Sequence, residues 1–389
     1  MIGRIRRAAS LFPGPSMETA EASQILAAYR DILTKVHPLA PRHLATLPFE
    51  VKRLSLALTC ERGPGLKTNY LAAPANLSAY LYYFLPWNLY RLTRLLTGLA
   101  FDLPDGAKVL DLGCGPLTLV QALWMARPEL RVRRLRFACV DQTGQVLRAG
   151  RALFAALAGE AGKNWTIELI QAPAHKAPSG PFQAVMAANA LNELARGRGA
   201  QGREMLANVA DMLACRLAPD GEIFLVEPGT RLGGKLLARL RGILAEEGLW
   251  PLGPCVHAKA CPMLDVRWRS WCHFVFSAQD APQWLMDVTK KAGLEKDRAS
   301  LAFLRMSAAS PRYDPADLRV VSHRFALSGG GQGAYVCGAD GLRLLTFKAL
   351  PRGVASGALL TADLPAPRER DPKSGVWITP AEEEPRAGH

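Results

Sequence analysis

The sequence predicts an α/β fold in which a doubly wound parallel sheet follows an N-terminal helical region and precedes a small C-terminal β module. From Lys108 onward, short apolar runs alternate with segments of helical periodicity, the pattern of successive parallel βαβ units. The first of these runs ends in a turn with two glycines one residue apart, Gly113 and Gly115. After about residue 310 the runs become shorter and glycine-rich turns separate them, which is typical of antiparallel strands.

The N-terminal part of the chain is predicted to be helical. Glu21 to Val36 and Leu77 to Leu99 have helical periodicity, and prolines such as Pro48 mark the expected breaks. An aromatic cluster between Tyr80 and Tyr90 is of a kind that stacks on bases, but its spacing favours a place in the core. This region is therefore expected to pack on the sheet that follows it.

The core sheet is assembled from runs that are short, apolar and separated by helices. The predicted strands are Lys108 to Leu112, Leu135 to Val140, Trp165 to Leu169, Ala184 to Ala188, Gly221 to Val226 and Leu301 to Met306. The predicted helices include Gln145 to Ala158, Arg203 to Leu217 and Ala281 to Ala292.

The length of the chain, 389 residues with 49% hydrophobic residues, allows two or three domains with a sizeable core. Residues 1–16 are expected to be a basic leader or disordered extension, with Met1 or Met17 as the true start. A helical region over 17–100 and a core over 101–310 follow, and the core contains a metal-binding insertion over 250–277. A β module over 311–364 and a disordered tail over 365–389 complete the chain.

The run Lys108 to Pro116 has the features of a nucleotide-type cofactor site. Its glycines allow close approach of the backbone to a ligand, and the helix predicted to begin at Leu117 points its positive end at the same place. Thr118 stands where the third glycine of the dinucleotide fingerprint would be. Asp111, two residues before the first glycine, suits S-adenosylmethionine better than a nicotinamide.

Polar residues follow the other predicted strands, and ligands of such sheets bind at the carboxyl ends of the strands. Asp141 follows the second strand, where a carboxylate can accept hydrogen bonds from ribose hydroxyls. Asn189 and Asn192-Glu193 follow the fourth strand, near the expected methyl group, and Glu227 follows the fifth. These residues are predicted to share one site.

The net charge favours a polyanionic partner. The chain has a formal charge of +14 and a pI of about 9.6, and Lys and Arg supply most of the non-specific affinity of proteins for nucleic acid. RNA is the expected partner. A membrane is not, because no apolar run has the length of a bilayer span and the basic N-terminus lacks the apolar region of a secretion signal. The sequence does not determine the oligomeric state.

A stretch from Pro254 to Phe274 concentrates three of the eight cysteines, Cys255, Cys261 and Cys272. In a reducing compartment, clustered thiols indicate a metal rather than disulfides. The C-x5-C and C-x10-C spacings are wider than those usual at zinc, and they favour an iron–sulfur cluster with a fourth thiol from elsewhere. Cys337, in a glycine-bounded turn, is the best fourth ligand. The others are expected to be buried apolar residues: Cys60, Cys114, Cys139 and Cys215.

These features together resemble one family. The resemblance covers about Tyr80 to Lys348. It is carried by the segments Asp111-Leu-Gly-Cys-Gly-Pro116, Val226-Glu-Pro-Gly229, Pro254-Cys255-x-His257, Cys261-Pro262, Trp271-Cys272-His273-Phe274, and Cys337 with Gly341 and Lys348. They are similar to the methyltransferase-like proteins of mitochondrial small-ribosomal-subunit assembly and their bacterial relatives. His257 and His273 are then expected to support the site rather than to bind metal.

The resemblance implies an S-adenosylmethionine-methyltransferase-like sheet with a 4Fe-4S cluster, and binding to small-subunit ribosomal RNA during assembly or early translation. By matched positions, the cluster ligands would be Cys255, Cys261, Cys272 and Cys337, with zinc as the alternative metal. The cofactor residues would be Asp111, Gly113, Gly115, Asp141 and Asn189, and the candidate catalytic residues Asn189 and Glu193. The location would be the cytoplasm of a bacterium, or the mitochondrion of a eukaryote.

Three functions remain open. No N-P-P-Y or D-P-P-Y run is present to bind an exocyclic amine, and Leu117 and Thr118 stand where relatives often have another glycine. The protein is thus expected to be an S-adenosylmethionine-dependent ribosomal RNA methyltransferase, a non-catalytic RNA-binding assembly factor with a degenerate cofactor site, or a zinc-stabilised methyltransferase acting on a small molecule or protein.

Overall fold

A computed structural model describes residues 2–12, 17–59, 69–194, 199–265, 270–349, 351, 353–372 and 374–383. The predictions made for Cys60 and for the side chain of Glu193 lie outside these described residues. Among them, no helix combines the length and hydrophobicity that a membrane crossing requires.

Four helices precede the core, and a π-helical turn at Tyr80–Phe84 joins the last two of them. These helices are α1 (Met17–Val36), α2 (Pro41–Thr59), α3 (Pro74–Ala79) and α4 (Leu85–Gly98). The helices of the core are α5 (Thr118–Ala126), α6 (Gly144–Ala158), α7 (Leu191–Leu194), α8 (Gly199–Ala214), α9 (Arg231–Glu246) and α10 (Gln283–Lys291).

Two sheets contain the strands. The first strand of the chain, β1 (Gly3–Ser10), belongs to the second sheet. The core sheet contains β2 (Lys108–Leu112), β3 (Leu135–Asp141), β4 (Trp165–Gln171), β5 (Phe182–Ala188), β6 (Leu217–Pro228), β7 (Trp250–Gly253), β8 (Phe274–Ser277) and β9 (Arg298–Ser307).

The core sheet has the predicted doubly wound order. The order is β4-β3-β2-β5-β6-β9-β7, with β8 paired to β9. Strands β2 to β6 are mutually parallel, and β9 runs antiparallel to β6. The order reverses between β2 and β5, so the ends of β2, β3 and β5 flank a crevice at the carboxyl edge of the sheet, where ligands of such sheets bind.

The second sheet contains β1 together with strands from the C-terminal part of the chain. These are β10 (Asp317–Val320), β11 (Phe325–Ala326), β12 (Gln332–Gly338), β13 (Gly341–Phe347), β14 (Ala358–Asp363), β15 (Glu369–Arg370) and β16 (Trp377–Glu383). The order is β1-β14-β10-β12-β13-β16-β15, with β11 paired to β12. Because β1 also pairs with β16, the ladder closes on itself.

Both chain ends differ from the disorder that their composition led us to expect. β1 lies within the expected 1–16 extension, and β15 and β16 lie within the expected 365–389 tail. In β1, Ile5 is buried while Arg4 and Arg6 are exposed. In β16, Thr379 and Ala381 are buried while Pro380 and Glu382 are exposed. This alternation of a half-buried strand was hidden by the charge and proline content of both ends.

Two further expectations were wrong in detail. Pro48 lies inside α2 instead of ending a helix, and the helix continues because Leu47, Val51 and Leu54 are buried on one face. Cys215, expected in the interior, is exposed just beyond the end of α8, whereas Cys114 and Cys139 are buried as predicted.

The N-terminal helices cover the core sheet and share its largest apolar core.

Candidate functional site

The turn after β2 lies at the carboxyl edge of the sheet and contains three residues with positive φ. These are Gly113 (φ +64°), Gly115 (φ +53°) and Leu117 (φ +57°), the last of which immediately precedes α5. The backbone N–H groups of Gly113 and Cys114 both donate to the carbonyl of Val140, at 2.8 and 3.1 Å. A Cβ at Gly113 would lie 2.6 Å from the Cβ of Ala190, so glycine is required for the turn to pack against the loop after β5.

Asp141 links this turn to the end of β3. Its Oδ2 accepts from the Gly115 N–H at 3.0 Å, and its Oδ1 accepts from the Thr143 N–H at 2.8 Å. Burial raises the pKa of Asp141, although the backbone donors of Thr143 and Gly115 oppose this. Each carboxylate oxygen has a second lone pair, so Asp141 can support the turn and still accept from a ligand.

Asp111 lies beneath the turn rather than at its surface. It is fully buried, and neither carboxyl oxygen has a hydrogen-bond partner within the described part of the chain. Burial, and next the charge of Asp141, raise the pKa of Asp111 to about 8. We expected Asp111 in contact with the cofactor, but it is absent from the residues that line the cavity described next.

A cavity opens at the carboxyl edge. Four predicted cofactor residues line it together: Gly113, Gly115, Asp141 and Asn189. Tyr70, Tyr80 and Thr143 also line the cavity and were not predicted there. Two signals pointed to them: Tyr80 belongs to the aromatic cluster, and Thr143 follows Asp141 closely. The tyrosines come from the N-terminal helical region, so that region covers the cavity.

The loop after β5 is shaped by a buried carboxylate. Asn189 has a positive φ of +58°, and its N–H donates to the carbonyl of Val226 at 2.8 Å. Glu227 is fully buried and accepts from the Leu191 N–H at 2.9 Å and from Asn192 Nδ2 at 2.6 Å. Asn192 therefore faces Glu227, and Asn189 lines the cavity described above.

A second cavity is lined by all four predicted cluster ligands. Cys255, Cys261 and Cys272 come from the core insertion, and Cys337 comes from β12 of the second sheet. Burial raises the pKa of the Cys261, Cys272 and Cys337 thiols, and neighbouring thiols of the group raise it further. The four thiols therefore face a common space although they are far apart in sequence.

Cationic side chains flank the thiols. Arg241 Nε donates to Cys255 Sγ at 3.2 Å, and Arg241 Nη2 donates to the carbonyls of His257 and Lys259 at 2.9 and 2.8 Å. Arg319 Nε donates to the carbonyl of Pro254 at 3.2 Å. These contacts fix the backbone on both sides of Cys255 and place positive charge beside the thiols.

The two histidines of this region are held by protein contacts. His257 is buried, its Nε2 lies 3.5 Å from Cys337 Sγ, and burial followed by Arg241 lowers its pKa to about 4. His273 stacks on Trp271 with ring centroids 4.8 Å apart. Across the described residues, no three His, Cys, Asp or Glu side chains are close enough together to hold one metal ion.

Comparison with known proteins gives a family. The family model described as "Mitochondrial small ribosomal subunit Rsm22" matches residues 74–341. No curated protein matches the chain.

Solved structures that resemble the chain include several methyltransferases. A ribosomal protein L11 methylase from Lactobacillus delbrueckii subsp. bulgaricus is 20% identical over 42% of this chain and 70% of its own, with a TM-score of 0.29. A putative methyltransferase from Bacillus halodurans is 13% identical over 57% and 98%, with a TM-score of 0.31. A putative sarcosine dimethylglycine methyltransferase from Galdieria sulphuraria is 14% identical over 67% and 100%, with a TM-score of 0.34.

Proposed function

The chain belongs to the family of mitochondrial small ribosomal subunit Rsm22, and from this premise we propose that it is an iron–sulfur-containing, S-adenosylmethionine-binding protein that binds small-subunit ribosomal RNA in ribosome assembly or translation. The observation that carries the proposal is the cavity in which Cys337 of the second sheet joins three thiols of the core insertion. In a bacterium the protein would act in the cytoplasm, and in a eukaryote in the mitochondrion.

The donor set of this cavity fits a 4Fe-4S cluster better than zinc. A single zinc ion needs its thiolates in direct mutual contact around it, since each Zn–S bond is about 2.3 Å long. In a 4Fe-4S cluster each thiolate binds a different iron, so the ligands stand farther apart around a larger body. Four thiols line one cavity, and the spacing of their cysteines in the chain is wider than is usual at zinc, which favours the second case.

The surroundings of the thiols also suit a cluster. The rest of the cavity wall is mainly apolar, including Leu237, Phe303 and Val321. Arg241 and Arg319 offset the negative charge that four thiolates would bring, and the Arg241 N–H bond to Cys255 is of the kind that adjusts cluster potentials. Because Cys337 lies on β12, a bound cluster would connect the second sheet to the core.

The residues around the carboxyl-edge cavity suit S-adenosylmethionine. Gly113 and Gly115 let the backbone approach a ligand, the N-terminus of α5 faces the same edge, and Asp141 can accept from ribose hydroxyls. When bound, S-adenosylmethionine supplies an electrophilic methyl group. Asn189 would lie nearest the transfer, since it stands at the carboxyl end of β5 and lines the cavity.

Methylation of ribosomal RNA is the second candidate function. The observation in its favour is that Asn189 and the glycine turn line one open cavity. The alternative is a non-catalytic RNA-binding factor that retains this cavity. In both cases the RNA partner is supported by the net charge of +14 and by the family.

Metal analysis and calorimetry on one anaerobic preparation of the full chain test this proposal. About four irons per chain are expected for a four-thiolate cluster, and stoichiometric zinc without iron would instead favour the zinc-stabilised methyltransferase. S-adenosylmethionine should bind the same sample, and Asp141→Ala should remove the binding. Asp105→Ala should not, because Asp105 is exposed and lies before the start of β2, at the opposite end of that strand from the turn. Absence of binding by the iron-loaded protein would leave only the non-catalytic factor.

A further inference from the structure

Two basic side chains, Arg91 and Lys296, lie close enough to interact electrostatically. Arg91 is close enough to Lys296 to lower its pKa, and Arg91 Nη2 donates to Asn88 Oδ1. Within the described residues, neither cation is in an ion pair, and no carboxylate contributes to the pKa of either. Both residues have intermediate exposure, and burial lowers the pKa of each.

Lys296 lies over two aromatic rings. Its Nζ lies 5.1 Å from the ring centroid of Trp87 and 5.7 Å from that of Tyr83. Both rings are buried, and Trp87 Nε1 donates to Thr289 Oγ1 at 3.2 Å, which holds its ring plane against α10. Cation–π contacts of this kind fix the ammonium without neutralising its charge.

The register of the core sheet brings this pair to the ligand-binding edge. β9 runs antiparallel to β6, with Leu301 opposite Pro228, so the chain that enters β9 at Arg298 lies at the carboxyl end of β6. Lys296 is two residues before that entry. The ends of β2, β3 and β5, with the cofactor cavity, lie at the same edge.

A short chain of contacts connects Arg91 to the cavity. Arg91 donates a hydrogen bond to Asn88, and Asn88 Nδ2 lies 3.5 Å from the Tyr80 hydroxyl. Tyr80 in turn lines the cavity. Neither Arg91 nor Lys296 is among the residues that line it. The two cations therefore stand one layer of side chains outside the space that a cofactor would occupy.

The π-helical turn provides a surface for stacking next to the cations. Tyr80 and Phe84, at either end of this turn, stack with ring centroids 5.8 Å apart and planes 23° apart, and both remain partly exposed. Exposed aromatic faces beside cations are the usual elements of single-strand nucleic-acid sites. π-helical turns inside α-helices are frequent at functional sites.

From this arrangement we propose that Arg91 and Lys296 bind a backbone phosphate of an RNA strand, with Tyr80 and Phe84 guiding the adjacent base toward the carboxyl-edge cavity. The inference rests on the RNA binding proposed above and assigns it a site. Arginine offers a planar fork of donors and lysine a compact charge, and both are common phosphate ligands. The carboxylate of S-adenosylmethionine is a less suitable anion, because both cations stand outside the cavity.

The protonation behaviour of Lys296 agrees with an anion that is supplied by a ligand. Burial, and next the charge of Arg91, lower the pKa of Lys296 to about 7. A phosphate between the two cations would stabilise the charged form of the lysine and raise that pKa.

Fluorescence anisotropy with the full chain and a labelled single-stranded RNA of about 12 nucleotides tests the proposal. The variants are Arg91→Gln, Lys296→Gln and their combination, with the exposed Lys291→Gln as matched control and Lys296→Arg as the charge-preserving variant. The double variant should bind roughly tenfold more weakly and its slope of log K against log salt should be shallower by about 0.7, the value for one lost phosphate contact. Lys291→Gln and Lys296→Arg should bind nearly as the wild type does.

The outcomes separate this inference from the function on which it rests. Normal RNA binding and an unchanged salt slope in the folded double variant overturn the phosphate site and leave the proposed function intact. A wild-type protein that binds no RNA overturns both. Calorimetry on the same variants identifies the anion that the two cations bind. Unchanged affinity for S-adenosylmethionine supports RNA phosphate. A tenfold loss of that affinity overturns the phosphate site, because it assigns the two cations to the cofactor. Circular dichroism confirms that each variant is folded.

Discussion

The carboxylate of Glu227, at the end of β6, accepts a hydrogen bond from the backbone N–H of Leu191 at 2.9 Å and so connects the end of β6 to the loop that follows β5. The bond fixes the loop in which Asn189 adopts its positive φ. A buried charge in this position acts on the shape of the cavity, since Glu227 is absent from its lining.

Glu227→Gln should therefore weaken cofactor binding without removing any side chain that lines the cavity. The amide keeps the size of the carboxylate but presents only one acceptor oxygen to two donors, and a bond to a charged acceptor contributes about 1.5–3 kcal/mol. We expect a loss of this order in the free energy of unfolding by urea, and weaker S-adenosylmethionine binding by calorimetry. Glu168→Gln, on the exposed face of β4, is the control. Unchanged values in Glu227→Gln would contradict a positioning role.

Asp111→Asn should make the stability of the protein less dependent on pH. Because the pKa of Asp111 is raised to about 8, the folded state binds more protons than the unfolded state between the ordinary aspartate pKa and pH 8. Stability should therefore fall as pH rises through this range, by at most about 1.4 kcal/mol per pH unit. Urea unfolding at pH 6 and pH 8 measures the difference.

The control for this experiment is an aspartate whose pKa moves the other way. Hydrogen bonds from Arg134 lower the pKa of exposed Asp105 to about 2, so Asp105→Asn should leave the difference between pH 6 and pH 8 as in the wild type. The same pH dependence in Asp111→Asn as in the wild type would show that Asp111 is ionised in the folded protein.

Cys337→Ser should reduce the iron content and loosen the second sheet together. Cys337 is the predicted ligand that comes from β12, and the other three come from the core insertion. We expect fewer than about four irons per chain and faster amide hydrogen exchange in β12 and β13. Cys215→Ser is the matched control, because that thiol is exposed at the end of α8. Full iron content in Cys337→Ser would exclude it as a ligand.

Arg305→Met should be strongly destabilising. Arg305 Nη2 and Glu222 Oε2 are 2.6 Å apart, with side chains only 9% and 13% exposed, and they join β9 to β6. Burial raises the pKa of Glu222 against the opposing effect of Arg305, so removing the arginine leaves a carboxylate with no compensation. Loss of one partner of a buried pair costs about 3–5 kcal/mol. The double variant Glu222→Met with Arg305→Met should recover much of the loss in chemical denaturation.

The sequence by itself determined the local elements and the chemistry available to them. The alternating apolar runs located β2 to β6 within a few residues, because burial on both faces of a parallel strand leaves a continuous apolar signal. The glycine turn, Asp141, Asn189 and the four predicted cluster cysteines were identified from residue type and spacing alone, and each set lines one cavity.

Tertiary structure alone decided which distant residues meet. The pairing of β1 with β14 and β16 could not be predicted from the sequence. Alternating arginines and apolar residues indicate a strand, but they do not indicate which strands it pairs with. The same holds for Asp111, whose place beneath the turn depends on packing, and for Arg91 with Lys296, which are brought together by the antiparallel entry of β9. Periodicity is a property of neighbouring residues, whereas these contacts depend on strand order and register across the whole chain.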